Sequence, residues 1–104
     1  MQKNFRTYNL ALTAYREVKT LRLEQHLRMQ LLRACSSICL NLAEGSGKRT
    51  AKEKRNFYHI AMGSLRECQA ILEISQNEKS NSYASLDRLG AGLFRLLEYY
   101  EGKT

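Results

Sequence analysis

Ser37, Asn41 and Glu44 recur at i, i+4 and i+7 in an otherwise apolar run that ends in Gly45-Ser46-Gly47-Lys48-Arg49-Thr50. Three hydrogen-bonding side chains therefore share one face of a helix. Downstream, His59, Ser64, Arg66 and Glu67 surround Gly63 in a second apolar run. Carboxylates, an imidazole and hydroxyls are the raw material of acid/base chemistry. Hydrolysis, however, needs a nucleophile with an orienting base, or paired carboxylates across a cleft, and neither local pattern is present. The Glu-x-x-His spacing of di-iron bundles is also missing, because neither His26 nor His59 follows a glutamate by three residues. No enzymatic activity is expected. A structural role fits these residues better: Ser37, Asn41 and Glu44 on one helix, with Ser64 and Glu67 on another, form an interhelical polar network, since buried polar groups must be paired. Gly63 costs a helix about 1 kcal/mol relative to alanine, so a close helix crossing is expected there.

The glycine-rich turn invites comparison with a phosphate-binding loop. The Gly-x-x-x-x-Gly-Lys-Ser/Thr spacing fails, and a helix rather than a strand leads into it. What remains is a new helix N-terminus beside Lys48, Arg49, Lys52, Lys54 and Arg55, either a phosphate-contact surface or a solvated charged turn. Arg33 on the preceding helix extends that candidate surface, and Arg6, Arg16, Lys19, Arg22 and Arg28 lie on the same half of the chain. Tyr8 and Tyr15 would offer stacking surfaces if exposed, but core packing suits them better. Nothing resembles a base-reading element, so phosphate and shape contacts would dominate any nucleic-acid binding. Cys35 and Cys39, with Cys68 or His59, lack the short Cys-x-x-Cys knuckles of structural zinc sites. The three cysteines read instead as small buried hydrophobes in a reducing compartment, the cytoplasm, with no metal or cofactor.

These residues must be positioned by helices. The 104 residues, 43% hydrophobic and 26% charged, make a single domain over 1–104. Proline is absent, glycines number six, and no β-branched run recommends a sheet. The net charge of +7 is uneven: residues 1–55 carry twelve basic and four acidic side chains, residues 56–104 five and six. An acidic partner such as nucleic acid would meet the first half. No apolar run approaches the roughly 18 to 20 residues that span a bilayer, and no apolar stretch follows Lys3 and Arg6 as in a signal peptide, so a soluble chain without a targeting segment is expected.

Apolar periodicity predicts four helices, at about 4–19, 24–44, 50–76 and 82–100. Gly45 and Gly47 are expected to stop the second, Thr50-Ala51-Lys52-Glu53 to cap the third, and a polar turn at 77–81 to precede the fourth. The join at 19–23 has neither Gly nor Pro, but a single rod of about 40 residues would stand unpaired, which favours a break. Short connections predict an all-α, antiparallel, up-down-up-down four-helix bundle. Tyr58, Ile60, Met62 and Ile71 spread apolar character around the third helix beyond Phe57, Ala61, Leu65, Cys68 and Leu72, and this favours self-association.

Residues 27–45 and 57–67 also resemble a known family. Arg33-Ala34, Ser37-Ile38 and Asn41-Leu42-Ala43-Glu44-Gly45, followed by Arg49, Phe57, Ala61 and Gly63-Ser64-Leu65-x-Glu67, resemble the paired motifs of the bacterial ribosomal-RNA intervening-sequence proteins. The likeness extends over roughly 5–100 and departs from the family pattern in lacking a proline in a shortened connection between helices one and two. It implies a homopentameric ring of four-helix bundles. It also implies kinship with accessory proteins of diversity-generating retroelements, which look like basic nucleic-acid-binding partners of a reverse transcriptase. The function expected is a binding module contacting structured RNA or RNA/DNA through Arg33, Lys48, Arg49, Lys52, Lys54 and Arg55. The alternative is a protein-interaction scaffold without direct nucleic-acid binding.

Overall fold

A computed structural model describes residues 5–103. Four helices follow one another, α1 (Arg6–Val18), α2 (Gln25–Ser46), α3 (Ala51–Ile74) and α4 (Asn81–Glu101), with no strand among the described residues. Each helix packs on its two neighbours around an elongated bundle of 43 × 22 × 20 Å. The chain is all-α, as its periodicity predicts. The expected start of the first helix at residue 4 lies outside the described residues.

The core is built from Ala11, Ala14 and Val18 of α1, Leu31, Cys35, Ile38 and Leu42 of α2, Tyr58, Ala61, Leu65, Cys68 and Leu72 of α3, and Leu86, Leu89 and Leu93 of α4. On α1 the small residues sit deepest, while Tyr8, Leu12 and Tyr15 are partly buried around them. Small side chains let α1 approach its neighbours closely, and the larger ones close the seams. On α3 Tyr58 takes the buried position and Phe57 the rim; Ile71 is buried and Ile60 faces solvent.

The break between α1 and α2 is made without Gly or Pro. Two tight turns, Thr20 N to Glu17 O at 3.1 Å and Leu21 N to Val18 O at 3.2 Å, end α1. The Arg28 guanidinium then reaches back from α2 to Lys19 O and Leu21 O, both at 2.7 Å. A cation expected on the basic surface is thus spent on orphaned carbonyls at a helix C-terminus.

Gly45 departs from expectation. It does not stop α2 but lies buried inside it, and the helix runs on to Ser46 with Gly47 as C-cap at φ −88°. Neither glycine is left-handed, so conformational freedom is not the reason for Gly45. Space is: a Cβ there would lie 2.7 Å from Tyr58 Cε1 and 3.1 Å from Phe57 Cβ. Gly63 is the converse. The helix crossing expected there does not occur, and a Cβ at Gly63 would meet nothing within 4 Å.

The α3 N-terminus carries the predicted capping box: Glu53 N donates to Thr50 Oγ1 at 3.1 Å and Thr50 N to Glu53 Oε1 at 3.4 Å. Its C-terminus comes two residues earlier than the predicted 76. Gln76 there adopts φ 61°, with Asn77 N donating to Leu72 O at 2.7 Å and Gln76 N to Glu73 O at 3.1 Å. This is the 6→1, 5→2 pairing that usually places glycine at the left-handed position. Ser80 caps α4, accepting from Tyr83 N at 3.2 Å.

Candidate nucleic-acid interface

Up-down topology brings the end of α2, the start of α3 and the end of α4 to one end of the bundle, which fixes the fate of each cation there. The Lys54 ammonium donates to Gly45 O at 3.3 Å and Ser46 O at 3.1 Å, carbonyls of the last turn of α2, the first of which also accepts from Lys48 N at 3.1 Å. Arg55 does the same for α4, donating to Tyr100 O at 2.5 Å and Lys103 O at 3.0 Å. Both side chains lock helix ends together, and neither points freely at solvent. Lys48 pairs with Glu44 at 3.3 Å and stands 5.3 Å from the Phe57 ring centroid.

Arg49 and Lys52 are exposed, and among the described residues neither side chain has a hydrogen bond or ion pair. Arg33 is also exposed and unpaired in that sense, but it lies on α2 roughly 20 Å from the turn at 1.5 Å rise per residue. The six candidate residues therefore divide: Lys48, Arg49 and Lys52 share the turn, Lys54 and Arg55 clamp helix ends, and Arg33 stands apart. The α3 N-terminus itself is occupied by Thr50 and the Glu53 carboxylate. A phosphate at this turn would be met by side chains rather than by free helix amides.

The polar seam is present in part. Ser37 Oγ and Ser64 Oγ are 2.9 Å apart, joining α2 to α3, and Asn41 Nδ2 donates to Ser37 O at 2.8 Å and Ser37 Oγ at 3.1 Å. Ser37 Oγ accepts from Asn41 and still has a lone pair and its own hydrogen for Ser64, so either serine can donate across the seam. All three side chains are half-buried, at the rim of the core rather than within it. Glu44 and Glu67 do not join them. Glu44 faces solvent and pairs with Lys48, and Glu67 is exposed. His59 and Arg66 of α3 line a different groove, between α3 and α4, with Phe94, Leu97 and Glu98. The spacing of Glu44 is right and α2 still touches α3 there, but it is the neighbouring Gly45 that faces Tyr58, while the Glu44 carboxylate turns outward to Lys48.

A second polar link was invisible in the sequence. Ser85 Oγ of α4 donates to the Glu17 carboxylate of α1, and Arg88 Nη2 donates to Ser85 Oγ at 3.1 Å. No local pattern connects residues 68 apart in the chain.

The cysteines are free and buried. Burial, with Cys35 close by, pushes the Cys39 thiol up to about 11. Cys68 is driven further in the same direction, first by a hydrogen bond with Cys35 and then by burial. Such thiols stay protonated and poorly nucleophilic at neutral pH. No group of three or more His, Cys, Asp or Glu among the described residues is arranged to hold a metal ion. No helix among the described residues is long and apolar enough to cross a membrane.

Among curated proteins none matches the chain. The model of one protein family does match, over residues 4–98, which includes both motif segments, the Ser37–Ser64 link and the basic turn between α2 and α3. That match, over nearly the whole bundle, makes the chain a member of the 23S rRNA-intervening sequence protein family.

Proposed function

We propose that this protein is a non-enzymatic, oligomeric helical bundle that binds structured RNA or an RNA/DNA hybrid through the turn between α2 and α3, as an accessory factor of a reverse transcriptase or of a ribosomal-RNA insertion. The observation that carries the reading is the pair Arg49 and Lys52, exposed and without side-chain partners among the described residues, beside Lys48. A protein with free cations at one end and a +7 net charge suits a polyanion. Arg33 adds a contact farther along α2. Lys54 and Arg55 serve that surface indirectly, by holding the helix ends that present it.

Self-association is supported by Leu40 and Ile60, which are 69% and 49% exposed. They lie one turn from Ser37 and Ser64 respectively and so flank the half-buried seam. The family resemblance favours five copies. The three free buried thiols suit a reducing compartment such as the cytoplasm.

A scaffold that recruits a protein is the second reading. It is favoured by the groove of about 370 Å³ between α3 and α4, where Phe94 is 62% exposed.

Replacing Lys48, Arg49 and Lys52 together by glutamine should weaken binding of a structured RNA and lower the log-log salt slope by about one for each lost phosphate contact. An unchanged affinity and slope would rule out this face. Protein that retains no nucleic acid at low salt, yet captures a defined protein partner after nuclease treatment, would favour the scaffold.

A further inference from the structure

The two grooves that flank α4 differ in charge. The one shared with α3 contains Glu98 and Glu101 beside His59 and Arg66. The one shared with α1, about 270 Å³, has no carboxylate in its lining and presents Arg6 from one wall and Arg95 and Tyr99 from the other. Arg95 and Tyr99 fall on one face of α4 with Gly92, at i+3 and i+7 from it. Gly92 brings the helices together at the floor, since a Cβ there would lie 3.3 Å from Thr7 Oγ1.

Both guanidiniums are exposed, and among the described residues neither makes a hydrogen bond or ion pair. Arg88, one turn from Gly92, is already bonded to Ser85. The Tyr99 ring is 59% exposed, an unusual amount for an aromatic side chain that contributes little to the core. Lys103 Nζ stands 4.7 Å from its centroid, so its π face is already in contact with a cation.

We propose that this groove binds an unpaired nucleotide of single-stranded RNA, the base stacking on Tyr99 and the adjoining phosphates held by Arg6 and Arg95. An exposed aromatic ring, steadied edge-on by Tyr100 at 4.8 Å, in one groove with two free guanidinium forks matches a base with adjoining phosphates, because every base has a π face and each fork meets phosphate oxygens bidentately. The base displaces the Lys103 ammonium, which sits on a flexible stem and swings out to a further phosphate. The groove opens at the same end of the bundle as the α2–α3 turn, where Arg55 ties α3 to Tyr100 O. The proposal shares its ligand class with the function proposed above but does not depend on the residues of that turn.

Fluorescence anisotropy with a fluorescein-labelled eight-nucleotide oligouridylate at low salt tests it. Tyr99→Ala should weaken binding by roughly tenfold, and Tyr99→Phe, which keeps the ring, by less than about twofold. Arg6→Gln and Arg95→Gln should each lower the log-log salt slope by about 0.7. Circular dichroism melts of each variant should match the parent, because all three side chains are exposed.

An oligouridylate affinity unchanged in Tyr99→Ala, or equally reduced in Tyr99→Phe, would overturn the proposal. The triple glutamine variant of Lys48, Arg49 and Lys52 separates the two surfaces. If it binds structured RNA normally while Tyr99→Ala keeps its tenfold effect, the turn fails and the groove stands. If it loses structured RNA while Tyr99→Ala changes nothing, the groove is overturned alone.

Discussion

Gly45→Ala and Gly63→Ala should move stability in opposite directions, although both place one methyl group on a helical residue, Gly45 in the last turn of α2 and Gly63 in the middle of α3. At Gly63, inside α3, alanine gains about 1 kcal/mol of helix propensity over glycine, and at Gly45, in the last turn of α2, it gains less than about half of that. At Gly63 nothing opposes the gain, since the new Cβ meets open space. At Gly45 the new Cβ would sit 2.7 Å from Tyr58 Cε1 and 3.1 Å from Phe57 Cβ. The tyrosine ring is only 2% exposed and cannot swing aside, and a Cβ moves only with its backbone. Overpacking of this kind costs about 1 to 3 kcal/mol, and the displacement of α2 from α3 would also strain the link between Ser37 and Ser64 at 2.9 Å. The expected balance is a loss of about 1 to 2 kcal/mol for Gly45→Ala and a gain of about 1 kcal/mol for Gly63→Ala. Urea denaturation followed by circular dichroism reads both as midpoint shifts at constant slope. A Gly45→Ala protein as stable as the parent would refute the argument: Tyr58 would then be yielding, and Gly45 would have no packing role. A Gly63→Ala protein that is destabilised would show that this face is covered in solution.

Gln76→Gly should stabilise the fold by about 0.5 kcal/mol, because the relief of a left-handed side chain, about 1 kcal/mol, exceeds the added freedom of glycine in the unfolded chain; a lower urea midpoint would refute it. Stability should also fall in alkali. Cys39 titrates near 9.0 when ordinary and near 11 in the fold, and burial raises Tyr58 from 10.0 to about 12. Between each pair of values the unfolded chain has released a proton that the native state still holds, so stability is complete below about pH 9 and declines as pH rises toward 11 and 12. Cys39→Ala should shrink the decline above pH 9 in urea midpoints measured from pH 7 to 11 without removing it, because the buried Cys68 thiol is raised in the same direction from the same ordinary value, and an unaltered profile would contradict the assignment.

Helix number, type and order were legible because the signals are local. The apolar period, the Thr50–Glu53 capping box and the polar turn before α4 each act within a few residues. Gly45 and Gly63 were misread for a common reason. Glycine in a helical pattern signals either a stop, a close approach or tolerance, and only the neighbouring helix decides which. Tyr58, thirteen residues beyond Gly45, is what makes that glycine necessary. The polar seam was legible as far as Ser37, Asn41 and Ser64, and was overextended to Glu44 and Glu67 because sharing a face is necessary for contact but does not fix which side of that face meets the next helix: Gly45 meets α3, whereas Glu44 and Glu67 face water.

The cations show why the interface was harder to read than the fold. Lys52, Lys54 and Arg55 fall within four residues, all in the first turns of α3, and nothing in composition distinguishes them. Their roles diverge because two other helices end beside them. The α2 carbonyls at Gly45 and Ser46 take Lys54, the α4 carbonyls at Tyr100 and Lys103 take Arg55, and Lys52 is left facing water. A helix C-terminus carries roughly half a negative charge in unpaired carbonyls, so it competes with any external phosphate for a nearby cation. In an antiparallel bundle that competition falls at the end where two helices finish as another begins. The basic cluster of the sequence is thus partly consumed in closing the bundle, and the remainder, Arg49, Lys52 and the lightly paired Lys48, is what the proposed binding of a polyanion at this turn has to draw on.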